Sequence, residues 1–520
     1  MRLASVLVIG WLVGCAAEPG PSLVLRGLVY AGADTDCSAG IHPIDTSNLG
    51  VVHVALSHPE RQSFETAVEL DPGNQSISIP EVPAGEEWDL RVSGFADANA
   101  YDQGRYSWLG RRRDLTIASG EESGVGVLLL RVEAMQCSRA PMVEPAMMAL
   151  ATRLPSGHVL ITGGVDTITT ADCDDCRYGM ASRNAYLYDP SAGAFQPLPP
   201  MPDSRVGHAA AVLDDGRVVV VGGADRVRLG GATQLDIGSG NLRGDALIFD
   251  PEASRWTSSA APWGRRAFHT VTRLDTTIFV AAGGFADADR VHGDLIRFQV
   301  IGDSVRVDGV EDLACPRVGH QAFAFDNQVI LWGGSRCQDG SSTAPEHWSP
   351  NNGLRLSRAN RWGGEANLSF AAAVELTPGT FMIAGGSVYR NGTMETPHSE
   401  NSYYYLAASE GHVRAPVLPQ GVQGILNSGV RLSSGERALF TGGFEDLDFT
   451  QPVGNYVVFT DNENGFGSVA SLPGLGGGVA AAAAAENQVI LAGGSSRCPS
   501  CDGDLSLLAG GAVFASADDH

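Results

Sequence analysis

The run Ala209-Ala210-Ala211-Val212-Leu213, Asp214-Asp215-Gly216-Arg217, Val218-Val219-Val220-Val221, Gly222-Gly223 decides the fold. Two short apolar stretches, joined by a polar turn and closed by a glycine pair, suit adjacent strands that are buried on both faces. Glycine ends the second strand where positive φ or a close backbone approach leaves no room for a Cβ. The same pattern closes on Gly163-Gly164, Gly283-Gly284, Gly333-Gly334, Gly385-Gly386, Gly442-Gly443 and Gly493-Gly494.

Successive pairs stand 50 to 61 residues apart, a period that points to a propeller. Two further strands follow in each repeat, as in Ala185 to Asp189 with Phe195 to Leu198, and Ala246 to Asp250 with Arg255 to Thr257. A lone four-stranded sheet of this size cannot bury both faces, whereas radial stacking covers them. The expected fold is therefore all-β, with seven four-stranded blades and the seventh beside the first.

The double glycines, Tyr188-Asp189 and Phe249-Asp250, the aromatics Phe195 and Trp256 six residues after each Asp, and three Arg-x-x-His openings together resemble kelch repeats. The resemblance covers about residues 140–520 and implies a seven-bladed kelch-type propeller.

Ahead of the repeats, Met1-Arg2-Leu3 and an apolar run to Leu12-Val13-Gly14-Cys15 read as a signal peptide over 1–14. Leu-Val-Gly-Cys resembles a bacterial lipobox, which implies a Gram-negative lipoprotein with Cys15 lipidated, residues 15–22 as linker, and an outer-membrane or cell-surface location. Residues 23–135 hold alternating runs between Pro, Gly and Asp turns, the pattern of a small β-sandwich. Pro83-Ala84-Gly85 followed by Trp88-Asp89-Leu90-Arg91-Val92 resembles transthyretin-like or carboxypeptidase-regulatory-like sandwiches. Arg111-Arg112-Arg113 reads as a solvated charge run.

All 35 Lys+Arg residues are arginine, so Schiff-base, Walker-lysine and Ser-Lys chemistry are excluded. A formal charge of -24 repels phosphate backbones and argues against nucleic-acid binding. Setting Cys15 aside leaves an even eight of the nine cysteines, which suggests disulfides in an exported protein. Cys315 and Cys337 flank the hairpin at Asp326-Asn327 nearly symmetrically and should bond. Cys37 then pairs with Cys137. Cys173-x-x-Cys176 and Cys498-x-x-Cys501 sit in repeats that ring closure makes neighbours, where disulfides, a zinc site or thiol redox work all remain open.

Arg205-x-x-His208, Arg266-x-x-His269 and Arg317-x-x-His320 precede the innermost strands of repeats two, three and four. Their imidazoles either pack between blades or meet at the axis to hold a metal. The arginines, if they face the mouth, form a positive sector for an anionic ligand. Asp166, Asp225, Asp287, Asp289, Asp294, Glu445, Asp446 and Asp448 crowd the connections after the glycine pairs, as oxygen ligands for calcium or as solvated loops.

Two functions follow. One is a non-enzymatic envelope module that binds or scaffolds a protein or polysaccharide and touches the membrane through its lipid alone. The alternative is a galactose-oxidase-like copper radical oxidase, a class implied by the kelch resemblance and needing a Tyr–Cys cross-link, a second Tyr and two His. Eight paired cysteines leave no thiol for it. Recognition is expected on the face of the long connections after the glycine pairs, replaceable by short turns without unfolding.

Overall fold

The computed structural model describes residues 22–29, 42–43, 49–70, 77–119, 122–170, 177–229, 241–261, 263–287, 290–334, 336–337, 344–358, 367–390, 393–394, 402–432, 436–447, 449–461, 465–484, 488–497 and 505–516. They divide into two compact units, the second taking in everything from Arg131 onward. The signal segment, Cys15, Cys37 and both Cys-x-x-Cys pairs lie outside the described residues.

The N-terminal unit contains β1 (Ser22–Val29), β2 (His42–Pro43), β3 (Val51–His58), β4 (Arg61–Glu69), β5 (Ile77–Ile79), β6 (Gly85–Phe95), β7 (Trp108–Ile117) and β8 (Glu122–Arg131). β1, β2, β5 and β8 pair among themselves, as do β3, β4, β6 and β7. The path of neighbouring strands runs β2-β1-β8-β7-β6-β3-β4, with β5 on the same edge of β1 as β2. Leu23, Val54, Trp88, Leu90 and Val127, from four of these strands, share one buried core. The unit's described helix has five residues, too short to cover that core, which is enclosed by strands of both groups. Arg111 is held by Asp89, while Arg112 and Arg113 are exposed, as a solvated run requires.

The second unit is a succession of sheets. Repeat one pairs β10 (Leu150–Arg153), β11 (Val159–Thr162), β14 (Ala185–Asp189) and β15 (Ala194–Pro197) in that order, and repeats two to five do the same with their own four strands. In repeat six the fourth strand is split, Gly465–Phe466 and Ala470–Ser471 both pairing with Asn455–Thr460. Repeat seven contributes three strands, Ala480–Ala483, Gln488–Ala492 and Gly511–Ala515. Its fourth edge is covered from ahead of the repeats. Glu133 donates its N–H to Ala515 O and Ser138 to Gly511 O, so β9 (Ala134–Cys137) runs antiparallel along that strand. This corrects the expected boundary, because 131–138 belong to the second unit. Leu505–Leu507 pairs instead with Ser495–Arg497 in a separate hairpin.

The aromatic-Asp signature has a local cause. Tyr188 stands opposite Phe195 and Phe249 opposite Trp256, with ring centroids 5.1 and 4.7 Å apart. Asp189 Oδ1 accepts from the N–H groups of Ser191 and Ala192, and Asp250 Oδ1 from those of Glu252 and Ala253, closing the turns between third and fourth strands.

The glycine pairs tie each repeat to the next. The second glycine donates to the carbonyl at the start of the following repeat: Gly164 to Arg205, Gly223 to Arg266, Gly284 to Arg317, Gly334 to Leu368, Gly386 to Gly424, and Gly494 back to Ala146. The first glycine must then pass against that same carbonyl. A Cβ on Gly163 would sit 2.3 Å from Arg205 O, and φ there is +58°. Nearer the axis, Met148, Gly207, Phe268, Gly319, Phe370, Leu426 and Gly478 occupy the same place in the seven repeats, and all have positive φ. Their main chains link in a partial ring: Phe268 donates to Gly207, Gly319 to Phe268, Phe370 to Gly319, Leu426 to Phe370, and Met148 to Gly478. Four bulky residues in the left-handed region are costly one by one, and the ring over-determines them.

Candidate functional site

Each Arg-x-x-His opening ties its arginine into the fold. Arg205, Arg266 and Arg317 are fully buried. Arg205 donates to Gly222 O at 2.8 Å and to Asp245 at 2.7 Å. Arg266 reaches Gly283 O and both oxygens of Asp294, at 3.1 to 3.2 Å. Arg317 donates to Glu346 at 2.9 Å and to the carbonyls of Gly333 and Ala344. A buried guanidinium is tolerated when its charge and donors are met in this way. The acid is supplied by the start of the third strand in the same repeat, so the three charges make no positive sector at the mouth, contrary to that expectation.

The imidazoles lie against the preceding repeat. His208 Nε2 is 2.8 Å from Thr162 Oγ1, and His320 Nε2 is 2.8 Å from Thr270 Oγ1. Neither nitrogen of His269 has a partner among the described residues. Cross-strand register explains the difference. The pair before the glycines is Leu150/Thr162 in repeat one, Ala209/Val221 in repeat two and Thr270/Ala282 in repeat three. His269 packs on repeat two, the one of these three with no hydroxyl at either place. Burial, with Arg205 and Arg317 adding to it, pushes His208 and His320 down to about 3; burial and Arg266 hold His269 well below its ordinary value. All three are neutral at pH 7. No group of three or more His, Cys, Asp or Glu in metal-binding geometry occurs among the described residues, so the imidazoles do not assemble a metal site.

An axial cavity of about 330 Å³ runs past these imidazoles, with Asn427, Gln321 and Thr270 as further polar lining. At the glycine-pair end it meets an apolar cluster drawn from nearly every repeat, including Met147, Val206, Ala267, Val318, Phe370, Ile425 and Phe444. The segments after the first two glycine pairs close over it. β12 (Val165–Thr170) and β13 (Arg177–Ala181) pair with β18 (Arg226–Leu229) in a three-stranded sheet, and Val165, Val227 and Leu229 join the cluster at 0 to 1% exposure. These segments are therefore part of the core, and the expectation that short turns can replace them does not hold. On the sheet's other rows Arg228 stands opposite Tyr178, Arg226 opposite Met180, and the Arg226 guanidinium lies 5.1 Å from the Tyr178 ring.

Of the acidic residues, Asp225 accepts from Asn241, Asp287 from Arg290, Asp294 from Arg266, and Asp446 from Thr450 and Gln451. Thr167 Oγ1 donates to Asp166. Asp289 and Asp448 lie outside the described residues. Cys315 and Cys337 are disulfide-bonded, with Cα atoms 5.3 Å apart. Cys137 is also disulfide-bonded.

Sequence reasoning missed a second cavity, a cleft of about 510 Å³ between the ends of strands in repeats two and three, lined by Asp203, Asn241, Arg243, Asp245, Trp263 and Arg265 among others. Apart from Asp245, which begins the third strand of repeat two, these residues lie in connections, where no repeat pattern marks them.

No protein-family model matches the chain. Over 160 residues it is 24% identical to beta-scruin of Limulus polyphemus, covering 29% of this chain and 16% of that protein's length. Among solved structures it resembles a fungal alcohol oxidase of the AA5 family in complex with copper, with a TM-score of 0.51 at 15% identity over 72% of this chain and 76% of that one. A weaker likeness, TM-score 0.44 at 14% identity, is to YjhT, covering 64% of this chain and 99% of that one. The repeats, the sheets and these likenesses support a kelch-type, propeller-type fold for the chain beyond Arg131.

Proposed function

We propose that residues 140–520 form a seven-bladed kelch-type propeller acting as a non-enzymatic protein- or glycan-binding module, carried on a lipoprotein anchored through Cys15. The observation that carries this reading is the use of the axial residues. The arginines are bound to carboxylates and backbone carbonyls, two imidazoles to threonine hydroxyls, and an apolar cluster fills one end of the axis. What the glycine-pair face offers a partner is the β12-β13-β18 sheet, with Thr167 and Thr169 exposed and Tyr178 and Arg226 half-buried beside them.

A copper radical oxidase fits less well, because no tyrosine lines the axial cavity among the described residues. Copper content after reconstitution separates the readings. The test of the binding reading is a crosslinked pull-down from the native envelope with Thr167→Arg/Thr169→Arg and, on the opposite face, Asp214→Arg/Asp215→Arg. Loss of capture in the first variant and not the second is expected. The reverse pattern overturns the choice of face.

A further inference from the structure

The axial cavity of about 330 Å³ has walls that offer little hydrogen bonding and no charge. Met148, Leu150, Phe268, Phe370, Leu426 and Val479 supply its apolar lining, and among the described residues none that lines it is an Asp, Glu or Arg. Its polar side chains are engaged by the protein itself. Gln321 donates to Ala371 O at 2.6 Å, Asn427 to Ala384 O at 3.2 Å and Ser428 to Val479 O at 3.1 Å. His208 and His320 meet threonine hydroxyls through Nε2, and their Nδ1 atoms, like both nitrogens of His269, are buried. Whatever these rings present to the cavity is therefore carbon, and all three are neutral at pH 7.

Phe268 and Phe370 form an edge-to-face pair, centroids 5.9 Å apart and planes at 83°, where the cavity meets the apolar cluster of the glycine-pair end. Toward the turns of the inner hairpins the axis stays open: Ala151, Ala210, Ala324, Ala373 and Ala482, on five innermost strands, all keep some exposure. Water inside bonds poorly to such walls, and its release favours an apolar occupant. A phenyl ring also meets C–H edges with its negative face, an attraction that a saturated ring of the same size lacks. A carboxylate would lose its hydration with no cation or free donor to replace it.

We propose that the axial cavity binds a small uncharged aromatic molecule of one or two fused rings, held at its floor by Phe268 and Phe370 and at its sides by the carbon edges of His208, His269 and His320. The inference goes beyond the binding-module reading, since it concerns the axis and not the β12-β13-β18 sheet, and neither depends on the other.

Calorimetric titration of the full-length protein with benzyl alcohol, cyclohexylmethanol and benzoate tests it, the three being an uncharged aromatic, its saturated analogue and an anion of the same ring size. Saturable binding of benzyl alcohol is expected, with cyclohexylmethanol severalfold weaker and benzoate at least tenfold weaker. Leu150→Trp, which extends a half-buried side chain into the cavity, should weaken benzyl alcohol at least tenfold. Phe268→Leu/Phe370→Leu should weaken it severalfold and erase the preference over cyclohexylmethanol, leucine being what already holds the equivalent place at 426. Thermal unfolding checks that each variant keeps the fold, and the three ligands on the unaltered chain decide the matter if neither does. No saturation by benzyl alcohol up to about 10 mM, cyclohexylmethanol or benzoate bound as tightly, or undiminished binding in a folded Leu150→Trp variant overturns the proposal.

Discussion

His208 Nε2 lies 2.8 Å from the Thr162 hydroxyl of the preceding repeat, and Val221 holds the place of Thr162 one repeat on, where His269 has no partner. Threonine and valine are nearly the same size, so the comparison isolates one hydroxyl. Val221→Thr should therefore raise stability by about 1 kcal/mol, and Thr162→Val should lower it by about 1–3 kcal/mol, the cost of a buried imidazole losing its partner. Urea unfolding midpoints measure both. If the two changes have the same sign, the hydroxyl is not what distinguishes the sites.

Acid should unfold the protein through its histidines before its carboxylates. In the unfolded chain an imidazole takes up a proton near pH 6.5. Buried His208 and His320 resist until about 3, and His269 stays neutral well below its usual range. Their contribution is intact above pH 6.5 and is lost as pH falls from there, each adding a limiting slope of about 1.4 kcal/mol per pH unit. Glu410 acts in a lower window. Burial raises its pKa, but hydrogen bonds from Arg355 and the Arg358 N–H outweigh that and bring it to about 2, so its contribution is lost between 4.5 and 2. Unfolding midpoints that stay level from pH 7 to pH 5 would show that the imidazoles are not buried neutral.

Two glycines with positive φ should respond differently to alanine. At Gly216, φ is +85° and nothing lies within 4 Å of an added Cβ, so Gly216→Ala should cost about 1–2 kcal/mol from the backbone alone. At Gly163 the Cβ also meets the Arg205 carbonyl at 2.3 Å, and Gly163→Ala should cost about 2–5 kcal/mol. Equal losses in chemical denaturation would mean that the contact between repeats relaxes freely.

Met135 lies outside every repeat, yet it is 3% exposed and packs with Leu491 and Phe514 of repeat seven. Met135→Ala should cost about 2–5 kcal/mol in the same assay, as expected for a core methionine. A neutral result would place β9 at the margin of the fold.

The Cys315–Cys337 bond closes a 22-residue separation and should contribute about 3 kcal/mol. Cys315→Ser/Cys337→Ser unfolding against the oxidised protein measures it, and non-reducing peptide mapping identifies the partner of Cys137.

Local patterning determined most of the fold. Apolar runs of strand length, a polar turn and a glycine pair specify an inner hairpin from adjacent residues, and Asp189 and Asp250 specify their turns through hydrogen bonds two and three residues away. Repetition then implied stacked sheets, because one such hairpin cannot bury both its faces. The Cys315–Cys337 pairing was legible for the same reason, being a property of one hairpin.

Tertiary structure alone decided what each repeat meets. The arginines at 205, 266 and 317 read as binding groups until the fold brought Asp245, Asp294 and Glu346 to them across the insert that follows each glycine pair. His208, His269 and His320 share the Arg-x-x-His setting in sequence, and they differ in partner because the neighbouring sheet presents threonine or valine. Closure by residues 133–138 unites main-chain groups from opposite ends of the second unit. The cleft at Arg243, Trp263 and Arg265 is assembled from connections that no period governs. Short-range hydrogen bonding and strand periodicity are written in consecutive residues, whereas partners across a ring of sheets are fixed by how those sheets stack.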